Sequence, residues 1–116
     1  MASKFKLMIG LLLLGAQTCK KEGLNGIPLC IVQKIEAIKA DNVWNPPGSV
    51  WRYDYNGKKV YYIASRCCDI PSILYDEQCN VICSPDGGFT GKGDGKCQDF
   101  FQKRKNEKLI WKDDRK

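Results

Sequence analysis

Residues 50–63 read VWRYDYNGKKVYYI, and this stretch decides the fold. Asn56 and Gly57 form the preferred pair for a two-residue type I′ turn, because both central positions of that turn need a positive φ. A turn of two residues also fixes the strand register, so that Tyr55 lies opposite Lys58. The stretch therefore predicts a β-hairpin of defined register.

The predicted hairpin has two different faces, because alternate residues of a strand point to opposite sides. One face is mainly aromatic and carries Trp51, Tyr53, Tyr55, Val60 and Tyr62. The other is more polar and carries Arg52, Asp54, Lys59 and Tyr61. We expect the aromatic face to be buried against an amphipathic helix, since each element then covers the other. The alternative is an exposed aromatic platform for a sugar or a peptide.

The chain before the hairpin predicts that helix, over about residues 28–40. Ile31, Ile35 and Ile38 recur at the spacing that places them on one side of a helix. Proline is favoured in the first helical turn, where its missing N–H costs nothing. The Pro-Pro pair at residues 46–47 predicts an extended linker between the helix and the hairpin.

Short apolar runs after the hairpin predict the remaining strands. Residues 73–76 and 80–83 indicate two strands joined by a tight turn at Glu77-Gln78, and residues 108–111 indicate a closing strand. A short helix near residues 99–105 is more weakly indicated. The predicted fold class is α+β, with one amphipathic helix packed on a four- to five-stranded antiparallel sheet that about three disulfides cross-link.

The N-terminal residues have the pattern of a signal peptide. Two lysines precede a nearly unbroken apolar run, residues 7–15, which is too short to span a bilayer as a helix. We therefore predict a signal peptide over residues 1–18 and an N-terminal tether over residues 19–26. A single disulfide-stabilised α+β domain is predicted over residues 27–116.

The chain has seven cysteines, and Cys19 stands where the apolar run gives way to polar residues. An odd count in an exported protein indicates that one cysteine does something other than pair within the fold. We predict that the lipoprotein signal peptidase cleaves before Cys19, which then carries a lipid anchor. In the alternative, the ordinary signal peptidase cleaves after Ala16 and the protein is secreted, with Cys19 free or paired between chains.

Six further cysteines remain for three disulfides, namely Cys30, Cys67, Cys68, Cys79, Cys83 and Cys97. A bond between the adjacent Cys67 and Cys68 is strained, so these two are expected to tie two different elements. We expect Cys83 to pair with Cys97, and Cys30 to pair with one of the adjacent two, although sequence alone leaves the pairing open. Zinc binding is disfavoured, because paired C-x-x-C knuckles are absent and exported thiols are oxidised.

Residues 85–96 form a loop with five glycines. Their spacing fits neither a phosphate-binding loop nor a dinucleotide fingerprint. The candidate recognition residues of this loop are Asp86, Phe89, Lys92 and Asp94. We predict no metal here, with glycines adopting left-handed conformations and the aspartates making Asx-turns. The alternative is a calcium ion held by the two aspartates and loop carbonyls.

The composition argues against an enzyme. No histidine occurs in the chain, which removes Ser-His-Asp, Cys-His and most zinc-hydrolase arrangements. The formal net charge of +6 is interpreted as a solvated surface near an anionic membrane, since no nucleic-acid-binding motif accompanies it. We predict a non-enzymatic protein without a cofactor and without a nucleic-acid partner.

Several motifs of the body occur together in a known family. They are Ile27-Pro28-x-Cys30-Ile31, Asn45-Pro46-Pro47, Gly57-Lys58-x-Val60-Tyr61-Tyr62-Ile63, Cys67-Cys68-Asp69, Leu74-Tyr75-Asp76-x-x-Cys79-Asn80, Pro85-Asp86-Gly87-Gly88-x-Thr90-Gly91-x-Gly93-Asp94-Gly95-x-Cys97-x-Asp99-Phe100 and Ile110-Trp111. With them, the chain from about Ile27 to Arg115 resembles a family of small cysteine-rich exported domains of unknown function, found in lipoproteins of Bacteroidota-type bacteria. The resemblance implies a cell-envelope location and supports Cys19 as an anchor. It implies no activity, cofactor or catalytic residue.

These features together predict a small binding or structural domain of unknown ligand. It is expected in the cell envelope, facing the periplasm or the cell surface, and attached to the membrane through its lipid anchor. An envelope protein or a polysaccharide is the expected class of partner. The alternative function is that of an exported protease- or hydrolase-inhibitor domain, with residues 89–92 as its wedge.

Overall fold

The computed structural model of the protein describes residues 26–67 and 69–115. In chain order it contains helix α1 (Leu29–Ala40), strands β1 (Ser49–Tyr55), β2 (Lys58–Ile63), β3 (Ile73–Tyr75) and β4 (Val81–Cys83), helix α2 (Phe100–Lys103) and strand β5 (Lys105–Lys112). The predicted signal peptide and residues 19–25 of the predicted tether lie outside the described residues.

The strands form one five-stranded antiparallel sheet in the order β4-β3-β2-β1-β5. The β1–β2 hairpin has the predicted register, with Tyr55 opposite Lys58. Strand β5 begins at Lys105, earlier than predicted, and pairs with the outer side of β1. The predicted α+β class, a helix on an antiparallel sheet, is confirmed.

Helix α1 covers the opposite face of the sheet from the one predicted. Its buried isoleucines form one cluster with three residues of the hairpin: Ile31, Ile35, Ile38, Val50, Tyr61 and Ile63. The prediction was wrong because it considered only the charged residues in the middle of the more polar face. Val50 and Ile63 stand at one end of it, and with Tyr61 they supply the apolar surface that a helix needs.

The aromatic face is buried by the chain that returns after β4. Phe100 of α2 is fully buried, and its ring lies edge-on to Tyr53 at 5.4 Å and to Tyr55 at 5.2 Å between centroids. Val60 and Leu74 belong to the same cluster. Such edge-to-face pairs add about 0.5–1.5 kcal/mol to the effect of burial alone. The aromatic face is therefore core, and the exposed platform weighed as the alternative does not form.

Two disulfides join described cysteines, Cys30 with Cys79 and Cys83 with Cys97. The second of these pairings is as predicted. The prediction that Cys30 pairs with one of the two adjacent cysteines is wrong, since its partner lies beside the turn between β3 and β4. The bridge nevertheless fastens the start of α1 to the sheet, which is the role that was expected of it.

The remaining cysteines are less fully described. Cys67 is disulfide-bonded. Cys19 and Cys68 lie outside the described residues, so the lipid attachment predicted for Cys19 and the disulfide predicted for Cys68 stay predictions.

The sheet has two ends with different surroundings. One, called the proximal end, holds the hairpin turn at residues 56–57, the turn at residues 77–78 and the Cys30–Cys79 bridge. Because α1 begins at that bridge, the N-terminal chain enters the domain at the proximal end. Strand β4 ends at the opposite, distal end, where residues 85–96 follow.

The C-terminal end of α1 is fastened at the distal end by Arg115. Its guanidinium donates to the backbone carbonyls of Ile38 at 3.3 Å and of Lys39 and Asp41 at 3.0 Å. The last carbonyls of a helix have no partner in a following turn, and Arg115 adds to the one backbone cap bond here, from the Asp41 N–H to the Ile38 carbonyl. The guanidinium also pairs with the buried carboxylate of Asp113 at 2.6 Å and holds the pKa of that carboxyl below its usual value. Helix α1 thus runs from the β3–β4 turn to the start of β1.

Candidate recognition loop

The loop of residues 85–96, called the distal loop from here on, is held at its base by a buried disulfide. Cys83, the last residue of β4, is bonded to Cys97, and the two residues are 1% and 4% exposed. Both belong to the cluster around Phe100. The hydrophobic core therefore fixes the two ends of the loop.

Backbone hydrogen bonds brace the distal loop internally. The N–H of Asp94 donates to the carbonyl of Ser84 at 2.9 Å, and the N–H of Gly93 donates to the carbonyl of Gly87 at 3.0 Å. The N–H of Gly87 in turn donates to the carbonyl of Gly91 at 3.2 Å. Because these bonds join residues from the two sides of the loop, they hold it closed.

Two of the glycines are required by close approach of backbone segments. Gly93 has a φ of +71°, and a Cβ at this position would overlap the carbonyl oxygen of Ser84. Gly87 has a φ of +80°, and a Cβ there would lie 3.0 Å from the Ile70 carbonyl oxygen and from the Ser72 nitrogen. The predicted left-handed conformations are confirmed, and the missing side chains also let the loop pack against its neighbours.

Asp86 ties the distal loop to the sheet through Tyr62 of β2. The Tyr62 hydroxyl donates to the Asp86 carboxylate at 2.9 Å, and the Ser72 N–H donates to the Asp86 backbone carbonyl at 3.0 Å. Burial, together with the neighbouring carboxylate, raises the pKa of Tyr62 to about 12, so the hydroxyl keeps its proton. The Asx-turn that we predicted for Asp86 is therefore wrong, because its carboxylate binds a tyrosine instead.

Asp94 makes the Asx-turn that was predicted for it. The N–H of Lys96 donates to its carboxylate at 3.0 Å, and this bond lowers the pKa of Asp94. The hydroxyl oxygen of Thr90 accepts from the N–H of Lys92 at 3.1 Å in the same way. Both polar side chains shape the loop backbone from within.

Phe89 stands at the tip of the distal loop with 91% of its surface exposed. Phe89 and Thr90 are the central residues of a β-turn that the N–H of Gly91 closes onto the carbonyl of Gly88 at 3.1 Å. A single exposed apolar side chain is common on protein surfaces. This one differs because the turn and the disulfide constrain the backbone that carries it, which lowers the entropy cost of a contact with another molecule.

An open depression of about 720 Å³ lies beside this tip. Its lining includes Phe101, which is 37% exposed, with Gln98 and Lys92. The carboxylate-bearing residues Asp86 and Asp94 complete its rim. Enclosed apolar clefts suit small ligands, so an open depression of mixed charge suits contact with a larger molecule better.

The structure brings four predicted recognition residues to the distal end, namely Asp86, Phe89, Lys92 and Asp94. Phe89 and Lys92 are free to contact a partner, whereas the carboxylates of Asp86 and Asp94 make hydrogen bonds that hold the loop in shape. Sequence analysis missed Tyr62 and Phe101 as parts of this region. The need of a buried tyrosine hydroxyl for a partner was a signal, but it did not indicate which residue would supply one.

Within residues 26–67 and 69–115, no helix is long and apolar enough to cross a membrane. In the same ranges, no group of three or more His, Cys, Asp or Glu residues is placed to share a metal ion.

Fold and cross-links define the class of this protein as a small α+β domain stabilised by disulfides. Disulfides persist where the surroundings are oxidising, and they indicate an extracellular or periplasmic location.

A family model for a domain of unknown function, DUF6970, matches residues 36–113, which is more than half of the chain. The chain belongs to this family. The matched region contains the whole sheet and the distal loop. No curated protein and no solved structure shows a significant match.

Proposed function

We propose that this protein is an exported domain, attached to a membrane by a lipid on Cys19, that binds a protein or polysaccharide of the cell envelope through its distal loop. The observation that carries the proposal is the exposure of Phe89 at the tip of a loop that a disulfide and backbone hydrogen bonds tie together. No catalytic role is included.

Phe89 has the properties of an anchor that inserts into a pocket of a partner. Aromatic side chains dominate the energetics of protein interfaces when a partner covers them fully. The disulfide at the base and the Asp86–Tyr62 bond restrict the loop before binding, so little ordering remains for the binding step. Lys92, exposed beside the tip, supplies part of a polar rim.

A second apolar residue extends this surface. Ile70 is 46% exposed and belongs to the segment against which Gly87 packs. Phe89 and Ile70 therefore lie on neighbouring segments of the distal end. Two apolar side chains with a charged rim support recognition of a folded partner more than of a small solute.

The position of the loop supports the proposed anchor. The N-terminal chain enters at the proximal end, beside the Cys30–Cys79 bridge, and the distal loop lies at the opposite end of the sheet. A lipid on Cys19 therefore leaves Phe89 directed away from the membrane. The resemblance to exported lipoprotein domains of Bacteroidota-type bacteria supports the same arrangement.

The anchor is tested by labelling with radioactive palmitate. We expect label in the wild-type protein and none in Cys19→Ala, which should also leave the membrane fraction in high salt or stay uncleaved. An unlabelled wild-type protein whose N-terminus is Gln17 would contradict the lipoprotein assignment.

The binding role is tested by capture from envelope extract with three forms of the protein. Wild type and Val81→Ala are expected to retain the same partner, whereas Phe89→Ala should lose it. Val81 is a suitable control because it is 62% exposed and apolar but lies on β4, away from the tip. Equal capture by all three forms would contradict the role of the distal loop.

The inhibitor function remains a second candidate, because a disulfide-tethered loop with an exposed phenylalanine suits a wedge in an enzyme cleft. Phe89 and Thr90 form a tight β-turn, however, and an enzyme that binds extended segments as an added strand needs a straighter backbone. A panel of purified proteases and hydrolases distinguishes the two proposals. Inhibition that Phe89→Ala abolishes would favour the inhibitor over the binding domain.

A further inference from the structure

Helix α1 leaves one corner of its sheet face uncovered. The cluster beneath the helix includes Val50, Tyr61 and Ile63 but does not extend to the charged residues nearer the hairpin turn. Four cations occupy this uncovered area, which we call the basic corner: Arg52, Lys59, Lys105 and Lys108.

The strand register places these cations on one face. Arg52 lies opposite Lys108, while Asp54 lies opposite Lys59 on one side and opposite Lys105 on the other. Residues directly opposite one another in antiparallel strands share a face of the sheet. The β1–β5 pairing is irregular between Arg52 and Asp54, where β5 has an extra residue that forms a β-bulge.

The basic corner is poorly neutralised by the protein itself. The ion pairs among the described residues involve other cations: Lys39, Arg66, Lys103 and Arg115. The carboxylate within the corner is that of Asp54, which accepts from the Asn106 amide at 2.6 Å. Asp76 and Glu77 lie at the proximal turn next to Lys59, where Lys58 balances part of their charge. An excess of positive charge therefore remains.

Protection of the sheet edge explains only part of this pattern. Lysines on an edge strand discourage pairing with another chain, which accounts for Lys105 and Lys108 on β5. Arg52 and Lys59 lie on β1 and β2, inside the sheet. Placing Arg52 directly opposite Lys108 costs stability, because like charges in cross-strand pairs repel.

We propose that the basic corner docks on the anionic headgroups of a lipid surface. The proposal rests on the proposed anchor. A lipid on Cys19 would keep the corner close to a membrane surface, because the N-terminal chain between them is short, and this favours lipid headgroups over other anions. Residues 19–25 separate Cys19 from the first described residue, and such a segment spans at most ~25 Å when extended. That segment joins the domain at the proximal end, where the corner lies. Lys20 and Lys21 add positive charge next to the anchor.

The test measures partition of the mature chain, residues 19–116 with Cys19→Ala, between solution and vesicles, so that neither the apolar leader nor an acyl chain contributes. The vesicles are phosphatidylcholine with and without phosphatidylglycerol, at low and at high salt. We expect the anionic vesicles to bind more protein, and high salt to remove the difference. Arg52→Gln with Lys108→Gln should weaken binding to anionic vesicles by about 25-fold, at about fivefold for each basic residue.

The control is Lys96→Gln with Lys112→Gln, which removes the same charge from exposed positions away from the corner. We expect it to bind nearly as well as the unsubstituted chain. Equal losses in the two double variants would show an effect of net charge alone and overturn the proposal. So would the absence of a preference for anionic vesicles, or binding to a soluble polyanion without binding to vesicles.

If the Arg52 and Lys108 variant does not fold, Lys59→Gln with Lys105→Gln serves in its place, with the same expected loss. The result is independent of the palmitate experiment. If the wild type takes up no palmitate but the vesicle binding is as expected, the anchor is contradicted and the corner remains a lipid site. If the wild type is labelled but the vesicle binding fails, the corner is contradicted and the anchor remains.

Discussion

The hydroxyl of Tyr62 lies 2.9 Å from the carboxylate of Asp86, and this bond connects the aromatic face of the sheet to the distal loop. The tyrosine ring packs against the core around Phe100, with 6.0 Å between ring centroids. Asp86 in turn stands three positions before Phe89 in the loop. A short series of contacts therefore connects the hydrophobic core to the exposed tip of the loop.

Tyr62→Phe should lower the free energy of unfolding by about 1–3 kcal/mol, because it leaves a partly buried carboxylate without its donor. The measurement is unfolding by urea at neutral pH. Tyr75→Phe is the matched control, since the Tyr75 hydroxyl makes no hydrogen bond with any other described residue. Equal effects of the two substitutions would contradict a specific role for the Tyr62–Asp86 bond.

Alkaline pH should weaken the fold before the solution reaches pH 12. Burial, together with the carboxylates bonded to the two hydroxyls, raises the pKa of Tyr53 and of Tyr62 from 10.0 to about 12. The folded state holds these protons more tightly than the unfolded state. The resulting stability is complete below pH 10 and is lost as the pH rises toward 12. Thermal melts between pH 9 and 12 should show this decline, and Tyr62→Phe should make it shallower. A flat profile for the wild type would contradict these pKa directions.

The hairpin and its register could be predicted because local chemistry decides them, in the turn preference of Asn56 and Gly57. The side of the sheet on which α1 packs could not be predicted in this way. Both faces of the hairpin are apolar enough to be buried, and the covering segment around Phe100 comes from a distant part of the chain. Pairing of Cys30 with Cys79 depends in the same way on where α1 begins relative to the β3–β4 turn.

The distal loop shows a similar division. Its glycines and its Asx-turn at Asp94 were predictable, because they involve residues close in sequence. The hydrogen bond from the Tyr62 hydroxyl to Asp86 joins a strand residue to a loop residue that is distant in sequence. It therefore forms only when the sheet is assembled. The sequence also indicated Phe89 as a recognition residue, whereas its presentation at the tip of a braced loop depends on the contacts at the base of that loop.

Gly93→Ala should destabilise the protein strongly, by about 3 kcal/mol or more, because the added methyl group would overlap the Ser84 carbonyl oxygen. Gly91→Ala is the matched control. Its φ of +78° is similar, but no atom lies within 4 Å of the added group, so we expect a loss of only about 1 kcal/mol. Chemical denaturation measures both variants. A loss for Gly93→Ala no larger than that for Gly91→Ala would contradict the close packing at the base of the loop.

The two disulfides for which both cysteines are described should contribute unequally to stability. Cys30 and Cys79 are 49 residues apart, whereas Cys83 and Cys97 are 14 apart. Restriction of the unfolded chain grows with the length of the closed loop, so replacing the first pair by serine should cost ~4 kcal/mol and the second ~3 kcal/mol. Denaturation of the two double variants measures this. An unchanged stability in either variant would show that the corresponding bridge does not stabilise the fold.

The variant in which serines replace Cys83 and Cys97 should also lose partner capture. The variant in which serines replace Cys30 and Cys79, where it is folded, should keep it.

Site-specific photo-crosslinking tests the recognition loop most directly. A photoreactive amino acid replaces Phe89 in one form of the protein and Val81 in another, and both are irradiated with intact envelopes. We predict a discrete adduct from position 89 and none from position 81. Excess unmodified protein should suppress the adduct, while the same excess of Phe89→Ala should not. The absence of an adduct at position 89, or equal suppression by Phe89→Ala, would contradict recognition through the distal loop.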